Sequence, residues 1–192
     1  ASGEYLGYSN TFGGVTLGAA YNPDRGGGTS GDGGFAEGSG SAWDIYATMS
    51  PVDGLTIGGG WGQLENGTSG TADVDEDTVF ATYAWGPVTL GYAQAYISHD
   101  TGGTLTNTYY DNTTWGIAFN VNDNLSVSYN ELESEEHIGA ASGGQTLAID
   151  SLQVSYTMGA ASLKLMQTEA SEVDYVANNE HDTTAVVLGL SF

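Results

Sequence analysis

The sequence contains no cysteine and very few basic residues. The absence of cysteine excludes a disulfide framework and a thiolate metal site. Lysine and arginine number 2 against 24 aspartates and glutamates, and the formal net charge is −22. Because phosphate neutralisation requires lysine and arginine, nucleic-acid binding is excluded. Such an acidic chain could prefer cations, bind divalent metal ions or stay soluble in salty surroundings, and composition leaves all three open.

Long apolar runs are also absent. A membrane-spanning helix needs about 20 consecutive apolar residues, whereas the longest near-apolar run, residues 185–190, has the length of a strand. Residues 1–7 lack the basic and apolar regions of a secretory leader, so either a leader has been removed or this N-terminus is not the native one. The 30 glycines disfavour helix interiors. With 12 tyrosines and abundant threonine and valine, they predict a single all-β domain over residues 1–192.

Segments of about ten residues with alternating hydrophobicity recur along the chain. The clearest segment precedes the turn at residues 122–124, where Trp115, Ile117 and Phe119 alternate with small or polar residues. Short turns alternate with connections of roughly ten to twenty residues. The pattern predicts about eleven antiparallel strands.

The composition of the two strand faces distinguishes a transmembrane barrel from a soluble sandwich. The face opposite the apolar one is small and uncharged, whereas an exposed soluble sheet carries charged residues. Aromatic residues gather at strand ends, as in the interfacial girdles of barrels. They are Trp43, Trp61, Trp85, Trp115, Tyr156 and Phe192. Since backbone polar groups in hydrocarbon need internal partners, such strands must close into an antiparallel transmembrane β-barrel.

Three segments carry a family resemblance. The ending, residues 187–192, resembles the C-terminal strand of bacterial outer-membrane proteins, which finishes in an aromatic residue. Residues 50–58 and 124–129 resemble the general-diffusion porins of alphaproteobacteria. The resemblance implies a bacterial outer-membrane location and a homotrimer of barrels. Each barrel would have about sixteen strands around an aqueous pore.

The chain departs from that family in length and in strand parity. Bacterial barrels usually have an even number of strands with both termini in the periplasm. With eleven strands counted back from a periplasmic C-terminus, about five strands are expected to precede Ala1, which would then follow the third extracellular loop. The alternative is a small closed barrel in which one glycine-rich strand has been miscounted.

Lys164 is the candidate for a charged pore-lining residue, because it alternates with Leu163 and Leu165. The alternative is that Lys164 merely extends its charge into solvent. Asp44 and Glu4 are possible acidic counterparts. The full set of pore-lining candidates is Lys164, Asp44, Glu4, Gln153, Asn120, Ser126 and Ser128. The scarcity of basic residues predicts cation selectivity.

The acidic residues and the three histidines, His99, His137 and His181, are expected in the long connections. The densest acidic cluster, a candidate Ca²⁺ or Mg²⁺ site, consists of Asp73, Asp75, Glu76 and Asp77. It lacks the spacing of an EF-hand, so a solvated acidic loop is the alternative. Divalent ions could also link acidic loops to lipopolysaccharide phosphates.

The sequence shows no nucleophile elbow, P-loop or dinucleotide fingerprint, so neither a catalytic residue nor a cofactor is expected. The predicted function is passive diffusion of small hydrophilic solutes and ions through the barrel. Two other readings remain open. One is an acidic calcium-binding or adhesive cell-surface β-protein without a pore, and the other is an outer-membrane barrel enzyme.

Overall fold

A computed structural model describes residues 6–23, 40–65, 73–99, 108–138 and 144–190. They form one antiparallel sheet in which eleven strands follow chain order. The strands are β1 Leu6–Phe12, β2 Val15–Asn22, β3 Ala42–Val52, β4 Leu55–Leu64, β5 Val74–Trp85, β6 Val88–His99, β7 Thr108–Asn122, β8 Leu125–Ile138, β9 Thr146–Met158, β10 Ala161–Ser171 and β11 His181–Leu190. The predicted all-β class and the predicted number of strands are confirmed.

Helical structure is limited to one short turn in the described part of the chain. A 3₁₀ turn, Val173–Tyr175, lies between β10 and β11. Within the described ranges there is no apolar helix long enough to cross a membrane.

The strands are joined by short turns at one end of the sheet and by longer connections at the other end. Five two-residue turns join β1 to β2, β3 to β4, β5 to β6, β7 to β8 and β9 to β10. In the turn after β7, the side-chain oxygen of Asn122 accepts hydrogen bonds from the backbone N–H groups of Asn124 (2.9 Å) and Leu125 (3.0 Å). Such asparagine-to-backbone bonds favour a tight turn. All the longer connections leave from the opposite edge, which we call the long-connection edge.

Strand register divides the side chains between two faces, because residues directly opposite each other share a face. One row joins Val154, Leu165 and Val186 across β9, β10 and β11. The neighbouring row joins Ser155 and Lys164 on the other side of the sheet. We call the first side the apolar face and the second the polar face.

The apolar face is largely exposed. Leu165 is 42% exposed, Val186 is 66% exposed and Leu90 is 47% exposed. Among the described residues no hydrophobic side chain is buried. A soluble sandwich would cover its apolar face with a second layer, and a contiguous exposed apolar surface of this size indicates an apolar environment instead.

Many of the described acidic residues and the three histidines lie in strands, and for these residues the expectation that they lie in the long connections was wrong. β8 includes Glu131–His137, β5 includes Asp75–Asp77, and β7 includes Asp111. His99 ends β6, and His181 begins β11. β7 and β8 have 15 and 14 residues, which is more than the ~9–11 residues that cross a bilayer. The strands therefore continue beyond the apolar band, and their projecting ends carry the charge.

β1 and β11 are the first and last strands of the sheet. Each pairs with one neighbour, β1 with β2 and β11 with β10. In the part of the chain that the structure describes, β1 and β11 do not pair with each other.

Candidate pore wall and mouth

Most of the predicted pore-lining residues fall in two adjacent rows of the polar face. Asn120, Ser126, Ser155 and Lys164 form one row across β7 to β10. The next row places Ser128 opposite Gln153. Both rows lie near the short-turn edge. The named residues of these rows carry hydroxyl and amide groups, and Lys164 is the one charged residue among them.

Asp44 lies on the same face but in a different part of the wall. It belongs to β3, near the long-connection edge, and strands β4 to β9 separate it from Lys164. The structure therefore does not pair Asp44 with Lys164. Glu4, the other suggested counterpart, lies outside the described residues.

A glycine trough, formed by Gly58, Gly60 and Gly62 of β4, crosses the polar face beside Asp44. Gly62 is opposite both Asp44 of β3 and Glu76 of β5. At Gly58 a Cβ atom would lie 2.6 Å from the ring of Phe80 and 2.8 Å from Thr48 Cγ2, so neighbouring side chains fold over the glycines. The trough has carboxylates at its end near the long connections. Its signal in the sequence is the alternate spacing of the three glycines.

The proposed metal cluster is divided between the two faces. Asp75 and Asp77 share the apolar face, whereas Glu76 points to the polar face. Asp75 accepts a hydrogen bond of 2.8 Å from the Gln63 side chain. Within the described ranges, no group of three or more histidines, aspartates or glutamates is arranged to hold a metal ion. Strand alternation thus separates residues that sequence spacing had grouped with Asp73.

Five of the six predicted girdle residues lie on the apolar face, and Phe192 lies outside the described residues. Trp43 and Trp61 are near the long-connection edge, with ring centroids 5.2 Å apart in an edge-to-face contact. Trp85 and Tyr156 lie at the short-turn edge. Trp115 lies in the middle of β7, so the expectation that it lies at a strand end was wrong. The first four thus mark two opposite borders of the apolar face.

The connection between β10 and β11 folds onto the polar face, which the sequence did not reveal. The Tyr175 hydroxyl lies 2.6 Å from Ser134 Oγ, and its ring centroid is 5.2 Å from that of Tyr110. The Tyr110 hydroxyl donates a 3.2 Å hydrogen bond to Glu136. Burial, followed by the charge of Glu136, raises the pKa of Tyr110 above its ordinary value.

These features, an exposed apolar face behind a polar one and short turns opposite long connections, are typical of outer-membrane strands. The sequence profile of the Gram-negative porin family matches residues 1–192. The chain belongs to this family. As a porin it lies in the outer membrane of a Gram-negative bacterium and crosses it with β-strands.

Solved structures of two porins and of one further outer-membrane protein share the fold of this chain. An anion-selective porin from Comamonas acidovorans has a TM-score of 0.73 at 17% identity, with 98% of this chain and 59% of that chain covered. OmpT of Vibrio cholerae has a TM-score of 0.68 at 15% identity, with 97% and 62% covered. A porin refined at 1.8 Å has a TM-score of 0.68 at 14% identity, with 98% and 61% covered.

This chain therefore spans about three-fifths of the length of these solved proteins. The identities are low, so the likeness shows the fold alone. A search of the curated proteins finds no match.

Proposed function

We propose that the intact porin is a passive, water-filled channel for small hydrophilic solutes and ions. The observation that carries this proposal is the division of the sheet into an exposed apolar face and a face of mostly small or polar residues. When such a sheet closes in a membrane, outward side chains must be apolar and inward ones are free to be polar. The polar face then lines the lumen, and the trough and the rows around Lys164 form parts of its wall.

A closed barrel requires partners for the two outer strands, since open sheet edges are not tolerated in hydrocarbon. β1 and β11 each have one free edge in the described part of the chain. We propose that about five further strands complete a barrel of about sixteen, an even number as in other bacterial barrels. We also propose a homotrimer, since OmpT of Vibrio cholerae, one of the similar structures, is described in a trimer form.

We propose that the channel prefers cations. On the polar face the described residues place Asp44, Glu76 and Glu136 against one lysine, Lys164. A narrow passage lined by one sign of charge enriches the opposite ion. The similar Comamonas porin is described as anion-selective, so the preference proposed here depends on this chain's own residues.

The remaining site residues receive roles within the same proposal. Gln153, Asn120, Ser126 and Ser128 supply polar groups to the lumen wall, and the aromatic residues at the borders of the apolar face anchor it at the two membrane interfaces. Carboxylates also lie on the apolar face beyond its apolar band. They include Asp75, Asp77, Asp111, Glu131, Glu133, Glu135, Asp150, Glu169 and Asp182. We propose that this acidic rim faces lipopolysaccharide through Ca²⁺ or Mg²⁺.

No step of this function requires bond making, so we assign no catalytic residue. Transport follows the concentration gradient, with size limited by the narrowest section and charge preference set by the lumen wall.

The decisive experiment is single-channel recording of the full-length, detergent-extracted protein in a planar bilayer with a salt gradient. Stepwise openings and a reversal potential of cationic sign are expected. Openings with an anionic sign would overturn the charge preference while leaving the channel intact. A pure, folded protein that gives no conductance would overturn the channel itself and favour a surface protein without a pore.

A further inference from the structure

The connection between β10 and β11 is a compact segment held by its own hydrogen bonds. The backbone N–H of Val173 donates to the Asn179 carbonyl (2.9 Å), and the Asn179 side chain donates back to the Val173 carbonyl (2.8 Å). The backbone N–H of Asn178 donates to the Glu172 carboxylate (3.1 Å). These hydrogen bonds pair polar groups of the segment with one another, so residues 172–180 have a defined shape of their own.

Tyr175 attaches this segment to the wall. Its hydroxyl bonds to Ser134, a polar side chain that is only 3% exposed, and its ring contacts Tyr110. Tyr110 is itself bonded to Glu136. The attachment therefore combines a buried hydrogen bond, an aromatic contact and a second hydrogen bond that orients the aromatic partner.

The attachment crosses the strands. The segment leaves β10 at Ser171, but Ser134 belongs to β8, with β9 between them. Neighbouring strands lie about 4.8 Å apart, so Tyr175 reaches about 10 Å sideways over the polar face. The backbone of Asp174 and Tyr175 is left-handed, with φ of 58° and 55°. A non-glycine residue keeps that conformation only where its surroundings hold it.

We propose that residues 172–180 form a constriction at the channel mouth and that Tyr175 holds it against the lumen wall. This inference rests on the proposed function. If the polar face lines the lumen, any segment bound to it reduces the open cross-section there. The exposed carboxylates of Asp174 and Glu180 then lie at the entrance, beside the path of incoming solutes. Tyr175 thereby sets the upper size of solutes that enter and adds to the preference for cationic ones.

Three substitutions in the full-length porin separate the components of the attachment. Tyr175→Phe and Ser134→Ala each remove the same hydrogen bond and leave the Tyr175 ring in place. Tyr175→Ala removes both the bond and the ring. Val176→Ala is the matched control, because Val176 lies next to Tyr175 but is 54% exposed.

The readouts are single-channel conductance levels and liposome swelling with sugars of increasing size. Loss of the hydrogen bond is expected to raise the released fraction of the segment about fivefold, the equivalent of about 1 kcal/mol. This increase would be seen as more frequent transitions to a higher conductance level. Tyr175→Ala is expected to shift the sugar size limit upward permanently, and Val176→Ala is expected to behave as the wild type.

A double variant tests whether the bond joins the two named atoms. Tyr175→Phe combined with Ser134→Ala should have no more effect than either single change, because both remove one bond. Additive effects would overturn the assignment. Tyr175→Phe keeps the ring, so the test remains decisive even if Tyr175→Ala fails to fold.

The failure of this inference is distinguishable from the failure of the proposed function. A wild-type protein that conducts, together with unchanged conductance and size limit in Tyr175→Phe and Tyr175→Ala, would overturn the constriction and leave the channel in place. A folded wild-type protein without conductance would overturn the channel and the constriction with it.

Discussion

Asp44 and Glu76 are both directly opposite Gly62, one from each side. Gly62 has no side chain to separate them, and a Cβ atom at this position would lie 3.3 Å from the Cβ of Asp44. β3 and β5 are two strand spacings apart, so the two carboxylate-bearing positions are about 10 Å from each other across the trough. In the proposed pore, a cation passing over Gly62 would interact with both charges at once.

Neutralising these carboxylates is expected to reduce cation preference. Asp44→Asn or Glu76→Gln should lower the ratio of cation to anion permeability, and the double substitution should lower it further. A charge about 4 Å away in water contributes about 1 kcal/mol, so each change should be worth at most about fivefold. The measurement is the reversal potential in a salt gradient.

The matched control for these variants is Asp182→Asn, which removes one charge from the apolar face. It should leave the reversal potential unchanged. An equal effect of Asp182→Asn would mean that the net charge of the protein, and not the lumen wall, determines selectivity.

A second prediction distinguishes the two faces by one pair of neighbouring residues. Leu165 lies between Val154 and Val186 on the apolar face, and Met166 lies between Gln153 and Ala185 on the polar face. Leu165→Arg should reduce the free energy of unfolding by about 2–4 kcal/mol, the cost of an arginine facing the bilayer midplane. Met166→Arg should have a much smaller effect and should shift selectivity toward anions.

Urea unfolding of the two variants in lipid vesicles would measure that difference. Equal destabilisation by both arginines would contradict the assignment of lipid and lumen to the two faces.

The alternation of apolar and polar residues was sufficient to predict which face of the sheet each side chain occupies, because successive residues of a strand point to opposite faces. Leu163, Lys164 and Leu165 could therefore be assigned to opposite sides from the sequence, as the register now shows. The ends of the strands were not predictable in this way. In β8, Glu131 and Glu133 lie on the apolar face and Leu132 lies on the polar face, which reverses the usual pattern. A strand that projects beyond the lipid needs no apolar outer face, so its end does not follow the alternation.

The attachment of Tyr175 could not be predicted from the sequence at all. Tyr175 and Ser134 are 41 residues apart, and no local pattern links a tyrosine in a connection to a serine in a strand. Their contact depends on β8, β9 and β10 being adjacent and on the turn at Val173–Tyr175 directing the ring inward. Glu76 was misgrouped for a related reason, since spacing along the chain ignored the alternation of β5.

A third prediction concerns alkaline pH and Tyr110, which lies toward the long-connection edge, beyond the apolar band. Burial and the Glu136 charge raise its pKa above the ordinary 10.0. The folded protein thus holds the Tyr110 proton more tightly than the unfolded chain. Its contribution to stability is full below pH 10 and is lost as the pH rises through the raised pKa.

Ultraviolet titration of tyrosinate would detect this group. Tyr110→Phe should reduce the amplitude of the late-ionising phase. Glu136→Gln should move the Tyr110 pKa back toward its ordinary value, because the repelling charge is removed. An unchanged late phase in both variants would show that other tyrosines account for it.

The last prediction compares two turn glycines that share a backbone conformation but differ in their surroundings. Gly54 has φ of 76° and Gly159 has φ of 58°, both in the left-handed region. A Cβ atom at Gly54 would lie 2.2 Å from the Ala84 carbonyl oxygen, whereas none of the surrounding atoms lies within 4 Å of a Cβ atom at Gly159. The backbone N–H of Ala84 also donates to the Gly54 carbonyl at 2.8 Å, so Ala84 cannot move away without losing that bond.

Gly159→Ala should therefore reduce the free energy of unfolding by about 1–2 kcal/mol, which is the cost of holding alanine in the left-handed backbone conformation. Gly54→Ala should reduce the free energy of unfolding by that amount and by about 1–3 kcal/mol more. Its methyl group would collide with the Ala84 carbonyl, and Ala84 is held in place by its hydrogen bond to Gly54. Urea unfolding of both variants in the same vesicles would give the difference directly. Equal losses would mean that the Asp53-Gly54 turn can shift away from Ala84, and that packing across this edge of the barrel is looser than the register between β4 and β5 indicates.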